Sequence, residues 1–297
     1  MKPVRLLLAI FPLALLLAAG LPAWAIIPGV VPPTPPTGIW SGLNLSYVYD
    51  RGGASGVAVG SNYILTVRHG AGYTAFYDAV NVYTVAQVYY APTEVDPINN
   101  PLNLPPDLAL ARVTPSLPAY YNRYGGPYSF TDDLIAAGWG YNGTTGTLSG
   151  VDYYSQTGGG GLSWGSNRPT AAFPADVGGT YYNHMLEMDF SLSDGFQTPY
   201  ECGVGSGDSG GAVFIETSPG NWYLTGILET RDTRQDPPLD ADLNQFDTDY
   251  AIDLRYYNAW IDSIVFVPEP ASGLCFMLFS VCLLRRRPRA PSRMCGV

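Results

Sequence analysis

Gly205-Ser206-Gly207-Asp208-Ser209-Gly210-Gly211 decides how this chain is read. Glycines on both sides of one serine let the backbone turn sharply through positive φ, leave the hydroxyl unshielded and aim amide N–H groups into a small concavity. Such a concavity can hold an oxyanion. A serine hydroxyl is a weak nucleophile by itself, so the reading requires a base within hydrogen-bond reach and a third group that orients the base.

Only two histidines are available. His69 ends Ile64-Leu65-Thr66-Val67-Arg68-His69, a β-branched run that reads as a strand delivering the imidazole to its end, whereas His184 in Tyr181-Tyr182-Asn183-His184-Met185 has no such framing. For the orienting group, Asp107 opens Asp107-Leu108-Ala109-Leu110-Ala111, an acid before an apolar run, where a buried carboxylate is costly unless paired. A histidine N–H can pair it. Each feature also has a plain structural reading: a hairpin turn, a packed histidine, a turn aspartate. The spacing G-x-S-x-G also fits the nucleophile elbow of α/β-hydrolases, but there a helix follows the serine and a histidine comes last. Here no histidine follows Ser209, and Ala212-Val213-Phe214-Ile215 reads as a strand. The order Asp, His, Ser stays open only with His184 as the base.

Five segments resemble the chymotrypsin/trypsin-like serine proteases: Ile64 to His69, Asp107 to Leu110, Gly138-Trp139-Gly140, the serine loop, and Tyr250-Ala251-Ile252 through Trp260-Ile261. The likeness spans residues 38 to 265. It implies Ser209 as nucleophile, His69 as general base and then acid, Asp107 as the group that orients it, and the N–H groups of Gly207 and Ser209 as the oxyanion hole. By the same resemblance the floor of the substrate pocket falls at Gly203, where trypsins have an acid, and the wall segment Ser-Trp-Gly becomes Glu229-Thr230-Arg231. Gly203 offers no charge to a Lys or Arg side chain, while Glu229 places an acid elsewhere in the wall. The implied mechanism uses no metal or cofactor.

The expected fold is all-β, two Greek-key β-barrels with a C-terminal amphipathic helix. From Gly38 onward, short runs rich in Tyr, Val, Ile and Thr alternate with Gly, Asn and Pro clusters. Those runs predict strands over Leu43 to Tyr49, Gly56 to Val59, Tyr63 to Val67, Val80 to Tyr90 and Leu108 to Val113. After a crossover at Pro115 to Pro127 they continue at Leu134 to Trp139, Leu148 to Tyr154, His184 to Phe190, Gly211 to Ile215 and Trp222 to Leu228. The barrels are placed at about 38–120 and 128–248, and the spacing of Ile252, Tyr256, Ala259, Trp260 and Ile264 predicts one helix over 249–265. The Gly158 to Gly161 and Asp232 to Asp242 stretches read as surface loops.

Both ends carry addressing signals. Lys2 and Arg5 precede an apolar stretch from Leu6 to Leu21, and Ala23-Trp24-Ala25 places small residues where signal peptidase inspects, so residues 1–25 read as a secretory signal. A proline-rich segment, 26–37, leads into the domain at 38–266. Val267-Pro268-Glu269-Pro270, an apolar run from Ala271 to Leu284 and Arg285-Arg286-Arg287 resemble the PEP-CTERM sorting tail of Gram-negative envelope proteins, which an exosortase-type processing enzyme recognises. The 267–297 tail implies transient membrane anchoring, and the expected location is the cell envelope or exterior. From Ile26 to Pro270, eight of the 15 basic residues face all 25 acidic ones, near −17, with no lysine. That charge disfavours nucleic acid and anionic lipid faces as partners. A calcium requirement would suit it, but no ligand loop is recognisable. Of four cysteines only Cys202 lies in this body, so no internal disulfide holds it.

The expectation is an exported serine endopeptidase acting on protein or peptide substrates. Its rival is a catalytically silent protease-like module that binds envelope polymers. In the resembling family a freed N-terminus pairs with the acid before the serine. Here cleavage after Ala25 would expose Ile26-Ile27, with Ile26 lying 43 positions before His69 and Asp208 as its partner. Pro28 stands where the family has Gly; the alternative is a plain linker from Pro28 to Pro36 and no activation step.

Overall fold

The computed structural model describes residues 26–28, 32, 35–70, 72–148, 151–158, 160–190, 198–232 and 248–266, with backbone alone at 142, 144–148, 151–158, 231 and 232. The signal at 1–25, most of the segment between Pro28 and Pro36, residues 233–247, which hold most of the stretch read as a surface loop, and the 267–297 tail lie outside the described residues. Among the described residues, no helix is long and apolar enough to cross a membrane.

The first half is a closed barrel of six strands: β1 (Val48–Asp50), β2 (Ser55–Gly60), β3 (Tyr63–Val67), β4 (Ala75–Tyr77), β5 (Val82–Tyr90) and β6 (Leu108–Thr114). Their order, β1-β2-β3-β6-β5-β4 with β4 returning to β1, is the expected Greek key, and closure leaves no unpaired edge. Tyr49, Ile64, Phe76, Tyr83, Ala111 and Val113 fill the interior. Strand β6 is fully buried from Leu108 to Ala111. Antiparallel pairing of Val67 with Leu108 sets the end of β3 beside the start of β6. Hence the residue just beyond β3, His69, and the residue just before β6, Asp107, become neighbours.

The second half is one seven-stranded antiparallel sheet in the order β8-β7-β11-β12-β13-β10-β9. Its strands are β7 (Leu134–Gly138), β8 (Ser163–Asn167), β9 (Pro169–Val177), β10 (Tyr181–Asp189), β11 (Ala212–Ser218), β12 (Asn221–Asp232) and β13 (Thr248–Asp253). Leu134, Leu186, Met188, Val213, Ile215 and Leu228 anchor its core. Two of these strands escape the hydrophobic pattern. β8 reads as Ser163-Trp164-Gly165-Ser166-Asn167 yet every residue is buried. β9 contains Pro169 and Pro174 and occupies the edge of the sheet, the position where a missing N–H is tolerated. Asn142–Leu148 and Val151–Gly158 form a separate hairpin, and Ile27–Pro28 pairs with Cys202–Gly203.

The helix predicted over 249–265 is shorter than expected. Thr248–Asp253 is strand β13, held between β12 and β10, a 3-10 turn follows at Leu254–Tyr256, and the α-helix runs Asn258–Val265. The apolar residues of β13, Tyr250-Ala251-Ile252, are three in a row and have no period of their own, so periodicity alone assigns them equally to strand or helix. The chain divides into compact units at Asn258, and within the second the helix is the element described.

Ser55, at the start of β2, ties the two halves together. Its N–H donates to the Ser209 carbonyl (2.8 Å), its hydroxyl donates to the Gly207 carbonyl (3.3 Å), and the Trp139 N–H donates to its Oγ (2.8 Å). Gly210 lies against this joint with φ +87°, and a Cβ there would stand 2.1 Å from the Ser55 carbonyl oxygen and 2.4 Å from Thr66 Oγ1. Strain and overlap therefore combine in Gly210→Ala. Its expected cost is about 2–4 kcal/mol of unfolding free energy, read from urea denaturation followed by circular dichroism.

Candidate active site

Asp107 is fully buried and His69 about one-third exposed. The His69 backbone N–H donates to Asp107 Oδ1 (2.6 Å), and His69 Nδ1 meets Asp107 Oδ2 in a short contact. Nδ1 therefore carries the proton shared with the acid, which leaves Nε2 as the free lone pair of the neutral ring. Asp107 is fixed from behind: its own N–H donates to Asn183 Oδ1 on β10 (2.9 Å), and its carbonyl accepts from Arg68 N–H (3.1 Å). Arg51 braces the end of β3 by donating to Thr66 Oγ1 and the Val67 carbonyl, both at 3.1 Å, and to the His69 carbonyl at 3.4 Å. Its guanidinium lies over the Tyr73 ring.

Ser209 and His69 line the same cavity of about 480 Å³, with Val177, Thr180, Tyr181, Val204, Gly205, Ser206, Glu229 and Thr230. Ser209 Oγ donates to the Glu229 carbonyl (3.2 Å) rather than to His69. The N–H groups of Gly207 and Ser209 donate to no backbone carbonyl among the described residues, and Gly207 adopts φ +91°. A loop with two uncommitted N–H groups beside a hydroxyl has the donors that a developing oxyanion needs.

Asp208 is buried beneath that loop. Its carboxylate accepts the Gly205 N–H (2.7 Å) and the Gly140 N–H (2.9 Å). A Cβ at Gly138 or Gly140 would lie 2.4 or 2.6 Å from Asp208 Oδ1, which is why Gly138-Trp139-Gly140 carries its two glycines. No cation reaches Asp208 among the described residues, and burial pushes its pKa up to about 7, opposed by the two N–H donors.

The remaining sequence candidates fall as follows. Glu229 and Thr230 line the cavity; Gly203 pairs with Ile27 and does not. Arg231 pairs through its backbone with Asp249, and its side chain is outside the described residues. Ile26 is buried, and its carbonyl accepts the Ser163 hydroxyl (3.0 Å). His184 is engaged elsewhere, its Nε2 on Glu94 (2.8 Å) and its ring stacked on Tyr256. Cys202 is a free, buried thiol whose pKa burial raises. Asn183, Arg51 and Ser55 were not singled out by sequence reasoning. Each acts across 15 or more positions of chain, and no local pattern marks such a contact.

No protein-family model and no curated protein matches the chain. Among solved structures it is similar to the Rv3671c protease from M. tuberculosis in its active form, at 16% identity and a TM-score of 0.45 over 73% of this chain and 74% of that one. It is likewise similar to mouse neuropsin, a serine protease expressed in the limbic system, at 17% identity and a TM-score of 0.46 over 71% and 87%.

Asp208 makes stability depend on pH. Its folded pKa lies above its unfolded one, so the folded chain holds more protons than the unfolded chain between about pH 4 and 7. Its contribution is undiminished below that window and is lost as pH rises through it, at up to about 1.4 kcal/mol per pH unit. Urea midpoints measured across pH 4–8 should fall through that window, and the Asp208→Asn series should lack this component.

Proposed function

We propose that this protein is a serine endopeptidase with His69, Asp107 and Ser209 as its catalytic triad. The observation that supports this best is the paired His69–Asp107 unit sharing a cavity with Ser209, whose loop presents two uncommitted N–H groups. Ser209 Oγ attacks a peptide carbonyl as His69 Nε2 takes its proton, and the imidazolium then gives that proton to the leaving amine. Asp107 holds the tautomer and stabilises the imidazolium, while the Gly207 and Ser209 N–H groups meet the oxyanion. The hydroxyl must first rotate away from the Glu229 carbonyl, a shift of the kind that substrate binding completes.

That same hydrogen bond is the observation favouring the second reading, a catalytically silent binding module. A fluorophosphonate separates the two. Labelling that disappears in Ser209→Ala supports the peptidase; a folded chain that never labels belongs to the silent class. For the peptidase, kcat should fall on the order of 10⁶-fold in Ser209→Ala and comparably in His69→Ala.

Substrate preference follows from the cavity. Val177, Thr180, Tyr181, Val204 and Thr230 offer no fixed charge to a basic side chain. Peptide-library profiling should show neutral residues before the cleaved bond, and a dominant Arg preference would contradict this.

We further propose export and envelope display from the patterns at 1–25 and 267–297, and activation through Ile26. A new ammonium on Ile26 would supply the cation that buried Asp208 lacks and steady the loop above it. Chains beginning at Ile26 should turn over substrate on the order of 10²-fold faster than chains with one residue added before it, with unchanged circular dichroism. Equal rates would remove this step.

A further inference from the structure

Glu229 sits at an irregularity of β12. Leu228 pairs with Ala251 and Thr230 with Tyr250, so Glu229 is the extra residue of a bulge. Bulges re-aim side chains, and this one turns a carboxyl inward: Glu229 is only 4% exposed. Its carboxyl comes close to that of Asp107: one atom each of His69, Asp107 and Glu229 lie within 4.8 Å of one another. Glu229 Oε2 is buried and receives no N–H or O–H donor among the described residues.

Two carboxylates cannot both ionise in contact inside a protein; one keeps its proton and becomes a donor. The donors nearby decide which. Asp107 already accepts from the His69 N–H and meets His69 Nδ1, while Glu229 Oε2 has no donor of its own among the described residues, so the shared proton is assigned to Glu229. Arg51 interacts electrostatically with Asp107, and its hydrogen bonds go to Thr66, Val67 and His69. Tyr73 and Tyr181 face Asp107 as neutral phenols, and Arg68 lies over the Tyr90 ring while acting on Tyr181.

We propose that Glu229 is a neutral carboxylic acid whose O–H donates to the Asp107 carboxylate, making it a positioning residue that holds Asp107 against His69. Burial first, and the Asp107 charge second, push its pKa up to about 9, so the proton stays through neutral pH. The same residue presents its carbonyl to Ser209 Oγ, so one bulge contacts both the acid and the nucleophile.

The catalytic consequence rests on the peptidase reading; the shared proton does not, and the experiment keeps them apart. Infrared difference spectra of the full chain, wild type minus Glu229→Gln, should show a protonated-carboxyl C=O band at pH 7 that fades above about pH 9. No such band overturns the proposal whether or not the protein cleaves peptides. Failure to label with fluorophosphonate while the band is present sinks only the peptidase reading. For the active enzyme, Glu229→Gln keeps an N–H donor to Asp107 and should hold kcat within about threefold while losing the alkaline inflection near pH 9. Glu229→Leu removes the donor and should lower kcat by about 10- to 100-fold with little change in KM. Should Glu229→Leu not fold, the profile of Glu229→Gln still decides. An unchanged alkaline limb in Glu229→Gln, or wild-type kcat in a folded Glu229→Leu, would overturn the role. So would activity lost to a chelator and restored by a divalent cation, which would make the three side chains a metal site.

Discussion

A carboxylate with no exposure is the constraint on which the rest of this structure depends. Leaving Asp107 buried and unmatched would cost on the order of several kcal/mol, so donors must converge on it from distant parts of the chain. The end of β3 supplies His69 and the bulge of β12 supplies Glu229, while Asn183 on β10 accepts the Asp107 backbone N–H and fixes the acid in place. Satisfying one buried acid thus brings the closed barrel and the seven-stranded sheet to a common point. The imidazole is held there as a consequence of the same packing.

A second device keeps Ser209 in register with that point. Ser55 meets the serine loop by one backbone and one side-chain hydrogen bond, and the tight fit of Gly210 against it leaves the loop no room to slide. On the other side Asp208 pulls the loop down onto Gly140 through accepted N–H bonds, with glycines as the only residues that admit its carboxylate so closely. The loop is therefore gripped from both halves. This matters where the described residues hold a single cysteine, Cys202, as a free thiol.

The acids beneath the cavity follow one logic. Asp208 and Glu229 are both buried, and burial raises the pKa of each. They differ in what surrounds them. Two backbone N–H donors meet Asp208 and oppose the shift, whereas Glu229 faces another carboxyl, which adds to it. An acid that resists ionisation can donate a hydrogen bond at neutral pH, and an ordinary surface glutamate cannot.

The sequence by itself determined the all-β class and marked the serine loop, His69 and Asp107 as candidates, because those depend on local chemistry, whereas the meeting of His69 with Asp107 waits on the pairing of β3 with β6. Glycine conformational freedom, β-branched runs such as Tyr63–Val67 and an acid abutting an apolar strand are all visible within a few residues. Strands β8 and β9 were not legible, since Ser163–Asn167 is buried by its neighbours and Pro169–Val177 is admitted only by its place at an edge. The same holds for Thr248–Asp253, whose apolar residues suit a strand or a helix until β10 and β12 flank it. Glu229 could be placed in the pocket wall only by resemblance, but which way its carboxyl points is set by a bulge, and its protonation by a partner 122 positions away. Only the tertiary structure decides such matters, because burial and contact between residues remote in sequence exist only once the strands have paired.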